Sequence, residues 1–168
     1  MISRRGALGR TLGAIGGGFS GTLALLMPRR PADAAGEASD PAWRLSENEW
    51  QRRLSPEAYA VLRREATERP HSSPLNREKR TGTYLCAGCR LPLFSSTTKY
   101  DSGTGWPSFW QPLSGAIGTK TDFKLLIPRR EYHCHRCGGH QGHVFNDGPK
   151  PTGLRYCNNG VALVFQPD

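Results

Sequence analysis

The sequence predicts a mainly β, turn-rich domain preceded by short helices, and three observations carry that reading. Twenty glycines and 13 prolines in 168 residues mark frequent chain reversal. From about Gly82 onward, short β-prone runs alternate with Gly and Pro turns. Two Cys-x-x-Cys turns each follow such a run, and they are the only self-similar elements in the chain. The length is that of one domain of ordinary size.

Residues 1–34 read as an export signal ahead of that domain. Ser3-Arg4-Arg5-Gly6-Ala7-Leu8 is a twin-arginine pattern, Leu12 to Met27 is mildly apolar and softened by five glycines, and Ala32-Asp33-Ala34 is a small-x-small cleavage site. The expected destination is a bacterial periplasm; an uncleaved membrane anchor is the alternative. Residues 35–42 read as a flexible leader, and the domain is expected over 43–168. Five arginines and one aspartate of the +9 formal charge sit in residues 1–34, which leaves +5 on the remainder with no long basic tract. That balance gives no support for nucleic acid as a partner.

Within the domain, Ser46 and Glu49 form a capping box ahead of a helix ending near Leu54, and Ser55-Pro56-Glu57 opens a second that ends before Pro70, with Tyr59 and Leu62 on one face. Strands are expected at Thr83–Cys86, Lys120–Ile127, Glu131–Cys134, Val144–Phe145, Leu154–Cys157 and Val161–Phe165.

Four of the five cysteines are paired, Cys86 with Cys89 and Cys134 with Cys137, in the knuckle spacing of a zinc ribbon. Two such turns close a tetrahedral site with no position for a catalytic water, so the expected ion is a structural Zn2+. Two disulfides, or an iron site with the same ligands, are the alternatives. Cys157 is left over. Arg155, two residues away on the same strand face, favours its thiolate. His140 and His143 follow the second knuckle between glycines, which would present both rings outward for acid–base work or for polarising an oxyanion. Trp106 and Phe109, in an aromatic glycine-rich loop, are candidate walls of a small apolar pocket suited to a methyl thioether; core packing is the competing reading.

These motifs in order resemble the B-type peptide methionine-(R)-sulfoxide reductases: the first Cys-x-x-Cys, Lys99-Tyr100-Asp101-Ser102-Gly103-Thr104-Gly105-Trp106-Pro107-Ser108-Phe109, the second Cys-x-x-Cys, His140-Gln141-Gly142-His143-Val144-Phe145-Asn146-Asp147-Gly148-Pro149, and Leu154-Arg155-Tyr156-Cys157-Asn158-Asn159. The resemblance runs from about Trp43 to Phe165. It implies two packed antiparallel sheets with N-terminal helices, and reduction of methionine-R-sulfoxide in oxidised proteins or peptides. It implies Cys157 as nucleophile, His140, His143 and Asn159 on the sulfoxide oxygen, Trp106 on the methyl group, and Asp147 and Arg155 as supporting groups. The sulfenic acid left on Cys157 is reversible and condenses with a thiol. Many members of the family carry a resolving cysteine where this chain has Thr104, so an external reductant, a thioredoxin-like protein or a small thiol, is expected to regenerate Cys157. Asn158, where Ile is common, and Gly160 are smaller departures. A monomer is expected. A zinc-ribbon binding module and a thiol–disulfide oxidoreductase working through a Cys-x-x-Cys pair are the competing classes; the first does not require Cys157, two histidines and Trp106 together, and the second predicts titratable, metal-free cysteine pairs.

Overall fold

The computed structural model describes residues 39–124 and 127–168. The export signal expected over residues 1–34 and the first part of the leader lie outside them. Within the leader, Ser39 and Asp40 are held to the second knuckle through backbone N–H groups donating to the carbonyls of His135 and Arg136, and Pro41–Trp43 forms a 3-10 turn. Among the described residues no helix is long and apolar enough to cross a membrane.

Helix α1 (Glu47–Arg53) starts at the capping box: the backbone N–H of Glu49 donates to Ser46 Oγ, and Glu49 Oε2 accepts from the N–H of Ser46. Helix α2 (Pro56–Arg64) has Ser55 as its cap and proline at its first position, and it buries Ala58, Val61 and Leu62. Both helices lean on the Cys-x-x-Cys knuckles. Trp50 approaches Gly88, Leu62 approaches Gly139, and Arg63 donates from Nη1 to the carbonyl of Cys137 at 3.1 Å.

Among the described residues nine strands follow: β1 (Gly82–Cys86), β2 (Pro92–Ser95), β3 (Lys99–Tyr100), β4 (Ser108–Phe109), β5 (Ile117–Asp122), β6 (Arg129–Cys134), β7 (His140–Phe145), β8 (Arg155–Asn158) and β9 (Leu163–Pro167). They make two antiparallel sheets, β2-β1-β9 and β3-β4-β8-β7-β6-β5. Aromatic contacts join the two: Phe94 of β2 stacks on Phe109 of β4 with centroids 4.2 Å apart and meets Tyr132 of β6 at 6.1 Å. The mainly β architecture with N-terminal helices therefore matches the expectation.

Three strands were not anticipated. β3 and β4 have two residues each, too few to display alternation. β2 begins at a proline, which a sheet tolerates only at an edge, and β2 is an edge strand. The strand expected at 120–127 lies earlier, at Ile117–Asp122. Asp122 Oδ1 accepts the N–H of Lys124 and turns the chain out of the sheet, and two of the apolar residues that suggested a longer strand are exposed, Phe123 at 74% and Ile127 at 77%.

Candidate active site

The register of the larger sheet aligns one row of side chains across all six strands. Tyr100 pairs with Ser108, Ser108 with Cys157, Cys157 with His143, His143 with Glu131, and Glu131 with Lys120. Directly opposed residues in antiparallel strands share a face, so Ser108, Cys157, His143 and Glu131 belong to one surface. Phe109 follows Ser108 and must face the other way. It is fully buried among Phe94 and Tyr84 in the core and does not line the cavity beside Cys157, contrary to its expected role as a pocket wall.

The two histidines lie on β7 rather than in a glycine turn, and His140 is 2% exposed, not turned outward. Residues three apart on a regular strand point to opposite faces. Here Tyr132 pairs with Gly142 while His133 pairs with His140, so Gln141 is an extra residue, a bulge. The bulge restores His140 to the face of His143, and their ring centroids lie 5.4 Å apart. Gly142 follows the bulge, where any Cβ would strike the carbonyl oxygen of Cys157.

Each imidazole has a carboxylate partner. His140 Nδ1 lies 2.7 Å from Glu131 Oε1, and His133 Nδ1 lies 3.1 Å from Glu131 Oε2. Burial pushes the Glu131 carboxyl up, but the two imidazoles overcome it and hold the group at about 2. Among the described residues, His140 Nε2 is buried without a partner. His143 Nε2 lies 2.7 Å from Asp122 Oδ2, which also receives Arg129 Nη2 at 2.7 Å. Burial raises Asp122, yet the Lys124 N–H, His143 and Arg129 together hold it well below the usual carboxylate range. Burial lowers His143, outweighing Asp122. His143 is therefore neutral at neutral pH, with Nε2–H donating to an ionised Asp122 and Nδ1 left as a proton acceptor.

Cys157 is partly buried in a cavity of about 130 Å3 shared with Trp106, His143, Asn159, Thr67, Arg129, Gly142, Phe145 and Asn158. His140 is not in that wall; it stands behind His143. Burial raises the Cys157 thiol, while the Arg155 guanidinium and the Thr104 hydroxyl pull it down without overcoming burial. Arg155 acts in the expected direction, but the resting group is a thiol. Asp147 fixes Arg155 through a bidentate pair, 2.8 Å on both arms, and the guanidinium lies 4.2 Å over the Phe145 ring. Thr104 is tied to Ser102 at 2.8 Å, and Ser102 to Ser108 at 2.7 Å.

Asn159 is buried, and both ends of its side chain are engaged: Nδ2 donates to the Gln141 carbonyl at 3.0 Å and Oδ1 accepts the Glu68 N–H at 3.0 Å. One Nδ2–H remains for a ligand. Asn158 is fully buried; it accepts from Tyr132 Oη at 2.6 Å and donates to Gln141 Oε1 at 3.3 Å. Gln141 in turn donates from Nε2 to Cys86 Sγ at 3.5 Å.

Glu68 escaped the sequence reading. Its carbonyl accepts from Trp106 Nε1 at 3.1 Å, its N–H reaches Asn159, and its carboxylate receives the N–H groups of Gly160 and Val161. Nothing local marks it, because these partners lie 38 to 93 residues away in the chain.

Cys86, Cys89, Cys134 and Cys137 are all buried, and their sulfurs lie within 4.8 Å of one another. Cys86 and Cys137 are 3.7 Å apart and Cys89 and Cys134 3.4 Å, far beyond disulfide bonding. A tetrahedral ion bound at about 2.3 Å to each sulfur would space them about 3.8 Å apart. The set fits a metal ion.

The SelR domain family matches residues 54–167. A protein of Leptospira interrogans named peptide methionine sulfoxide reductase MsrB is 49% identical over 124 residues, which cover 73% of this chain and 95% of that protein. A protein of the same name from Bradyrhizobium diazoefficiens is 50% identical over 136 residues, covering 80% and 98%. Another from Pseudomonas putida is 54% identical over 121 residues, covering 71% and 90%.

Proposed function

This chain belongs to the SelR domain family of MsrB peptide methionine sulfoxide reductases, and from that premise we propose that Cys157, His143 and Trp106 form its reaction centre. The enzyme reduces methionine sulfoxide to methionine and so repairs oxidatively damaged protein. The observation that carries the assignment of roles is the direct opposition of Cys157 and His143 across β8 and β7, in one small cavity with Trp106.

The methyl-sulfinyl end of an oxidised methionine enters with its methyl group against Trp106. His143 Nδ1 takes the Cys157 proton, and the thiolate attacks the sulfoxide sulfur. The proton carried by His143 passes to the sulfoxide oxygen, assisted by the remaining Nδ2–H of Asn159. The attack forms a bond between Cys157 Sγ and the substrate sulfur; that bond and the substrate S–O bond break as the oxygen passes to Cys157 Sγ, and methionine leaves. Cys157 is oxidised to sulfenic acid by the two electrons that the substrate sulfur gains. His140, with its Nδ1 held by Glu131, supports the His143 ring. Asp147 holds Arg155, which stabilises the thiolate as it forms.

Regeneration uses an external thiol. It condenses with the sulfenic acid to a mixed disulfide and water, and a second thiol releases Cys157. Two features support this: the other four cysteines are gathered in the buried cluster, and the residue whose hydroxyl meets Cys157 is Thr104, which has no sulfur. The reductant is a thioredoxin-like protein or a small thiol, and the substrate is the R epimer. The ion of the four-cysteine cluster is zinc, with a structural role, since four thiolates leave no coordination position for substrate. The twin-arginine pattern supports a cleaved signal over residues 1–34 and export of the folded, metal-loaded monomer to the periplasm.

The test is steady-state reduction of both epimers of a methionine sulfoxide peptide, driven by dithiothreitol, with a Cys157→Ser control. R-selective turnover that vanishes in Cys157→Ser while the metal is retained is the expected result. Preference for the S epimer, or undiminished turnover without Cys157, overturns the reading.

A further inference from the structure

The loop Gly103–Trp106 reaches two cavities through Trp106, which borders both. Its Thr104 hydroxyl meets the Cys157 sulfur. Gly103, Gly105 and Trp106 border a second cavity of about 350 Å3, larger than the catalytic one and walled as well by Arg77 and Lys99. The loop is fixed: the Gly105 carbonyl receives the His71 N–H at 2.7 Å and Asn76 Nδ2 at 2.9 Å, and a Cβ at Gly105 would press on the His71 ring.

The charges in this second cavity do not balance. Neither Arg77 nor Lys99 makes an ion pair among the described residues; Lys99 Nζ is held only by the carbonyl of Asn76, at 3.0 Å. Asp101 is the sole carboxylate in the wall, and its Oδ1 is engaged by the Gly103 N–H at 2.9 Å. Lys99 is partly buried; burial and the nearby Lys79 disfavour its charge and outweigh Asp101 and Glu78, which favour it. Cations in that condition stabilise an anion brought to them. Arg77 offers a planar fork and Lys99 a point charge, a pairing suited to a carboxylate.

We propose that this cavity is a carboxylate subsite of the reductase, in which Arg77 and Lys99 hold an acidic group carried by a molecule whose sulfur is at Cys157, in the neighbouring cavity that shares the Trp106 wall. The inference rests on Cys157 being the reacting sulfur. The carboxylate has two possible carriers, the peptide flanking the sulfoxide or a small carboxylate-bearing thiol that reduces the sulfenic acid, and they differ in the step they affect.

The test uses the full chain with its metal, and the variants Arg77→Gln and Lys99→Gln. In one arm, dithiothreitol drives reduction of two methionine sulfoxide peptides that differ only in an Asp or Asn beside the sulfoxide. In the other, the Asn peptide is reduced with glutathione or with the neutral dithiothreitol, under conditions in which regeneration limits the rate. Arg77 is exposed, so its replacement reads the subsite even where Lys99→Gln, which loses the bond to Asn76, fails to fold. A drop of about fivefold in the Asp-over-Asn preference of kcat/KM in Arg77→Gln assigns the carboxylate to the peptide. An equivalent drop in the glutathione rate alone assigns it to the reductant. Equal effects on acidic and neutral members of both pairs, or no effect, overturn the subsite. Loss of all turnover in Cys157→Ser checks the underlying reading independently, since it does not depend on either charge.

Discussion

His143 Nε2 lies 2.7 Å from Asp122 Oδ2, so the catalytic imidazole is fixed by a carboxylate two strands away, at the end of β5. Asp122 is ionised throughout the neutral range, which commits the proton of neutral His143 to Nε2 and leaves Nδ1 as the base. Replacing His143 by Ala is expected to lower kcat about a thousandfold, within the span of a lost general acid–base group. Asp122→Asn retains a hydrogen-bonding side chain but removes the charge that selects the tautomer; its expected cost is about tenfold to a hundredfold in kcat, with KM for the peptide little changed. Steady-state kinetics of the two variants check this. A large rise in KM with kcat preserved would instead place the pair in substrate binding.

The opposing shifts at Cys157 and His143 set the pH dependence. Burial raises Cys157 above its ordinary value of 9.0 despite Arg155 and Thr104, so the free enzyme holds a thiol at neutral pH. Alkylation of Cys157 by iodoacetamide, followed on its own tryptic peptide, is expected to accelerate with pH to a midpoint above 9.0. His143 is lowered from 6.5, so the base stays unprotonated down to a pH below that value, and the acidic limb of kcat/KM should fall there. Arg155→Met removes a group that favours the thiolate and should carry the alkylation midpoint further upward. A midpoint that stays in place would show that Arg155 does not act on the sulfur.

Much of this was legible in the sequence, and what was not has identifiable causes. The capping box at Ser46 and Glu49 and the proline start of α2 are local signals, and each helix begins where they say. The four-cysteine set was legible because its two-residue spacing directly determines how the thiolates converge. The face of a side chain is harder to read when it depends on register. Phe109 was misplaced because a two-residue strand shows no alternation, and the partnership of His140 with His143 depends on a bulge at Gln141 that only the pairing with β6 reveals. The apolar run from Phe123 imitates a strand, but the side-chain turn at Asp122 ends β5 there, and Phe123 and Ile127 are exposed. The net rise at Cys157 is hidden from the sequence for a related reason: Arg155, which favours the thiolate as expected, is visible there, whereas desolvation is a property of the assembled cavity.

Removing the metal should abolish activity at a distance. Asn158, next to Cys157, bonds Gln141, and Gln141 Nε2 reaches Cys86 Sγ, so two side-chain hydrogen bonds span the distance between the reaction centre and the four-cysteine cluster. Both helices and the Ser39–Asp40 segment also lean on the knuckles. Structural ions of this type contribute about 10 kcal/mol or more to the folding of small domains. Titration with a strong chelator is therefore expected to lower the thermal transition and the turnover together, in proportion to metal released. Turnover that survives complete metal removal would show that the reaction centre holds without the cluster.

Glu68 gives the most specific prediction about how the cavity is built. Its backbone holds the Trp106 indole and the Asn159 side chain, and its carboxylate receives the N–H groups of Gly160 and Val161 just after the catalytic strand. Only the carboxylate contacts depend on the side chain. Glu68→Ala leaves two N–H groups without that acceptor and should cost about 2 kcal/mol of stability, the range for hydrogen bonds to a charged group. Glu68→Gln keeps one acceptor oxygen and should lose about half of that. If the carboxylate also positions the Asn159 turn against the substrate, kcat/KM for the sulfoxide should fall in Glu68→Ala by about tenfold at temperatures where the variant is fully folded, with Glu68→Gln in between. The rate of Cys157 alkylation should stay near wild type in both, because the groups acting on that sulfur are Arg155 and Thr104. Thermal melts and kinetics on the same samples separate the two effects: a stability loss with unchanged kcat/KM would confine Glu68 to holding the fold.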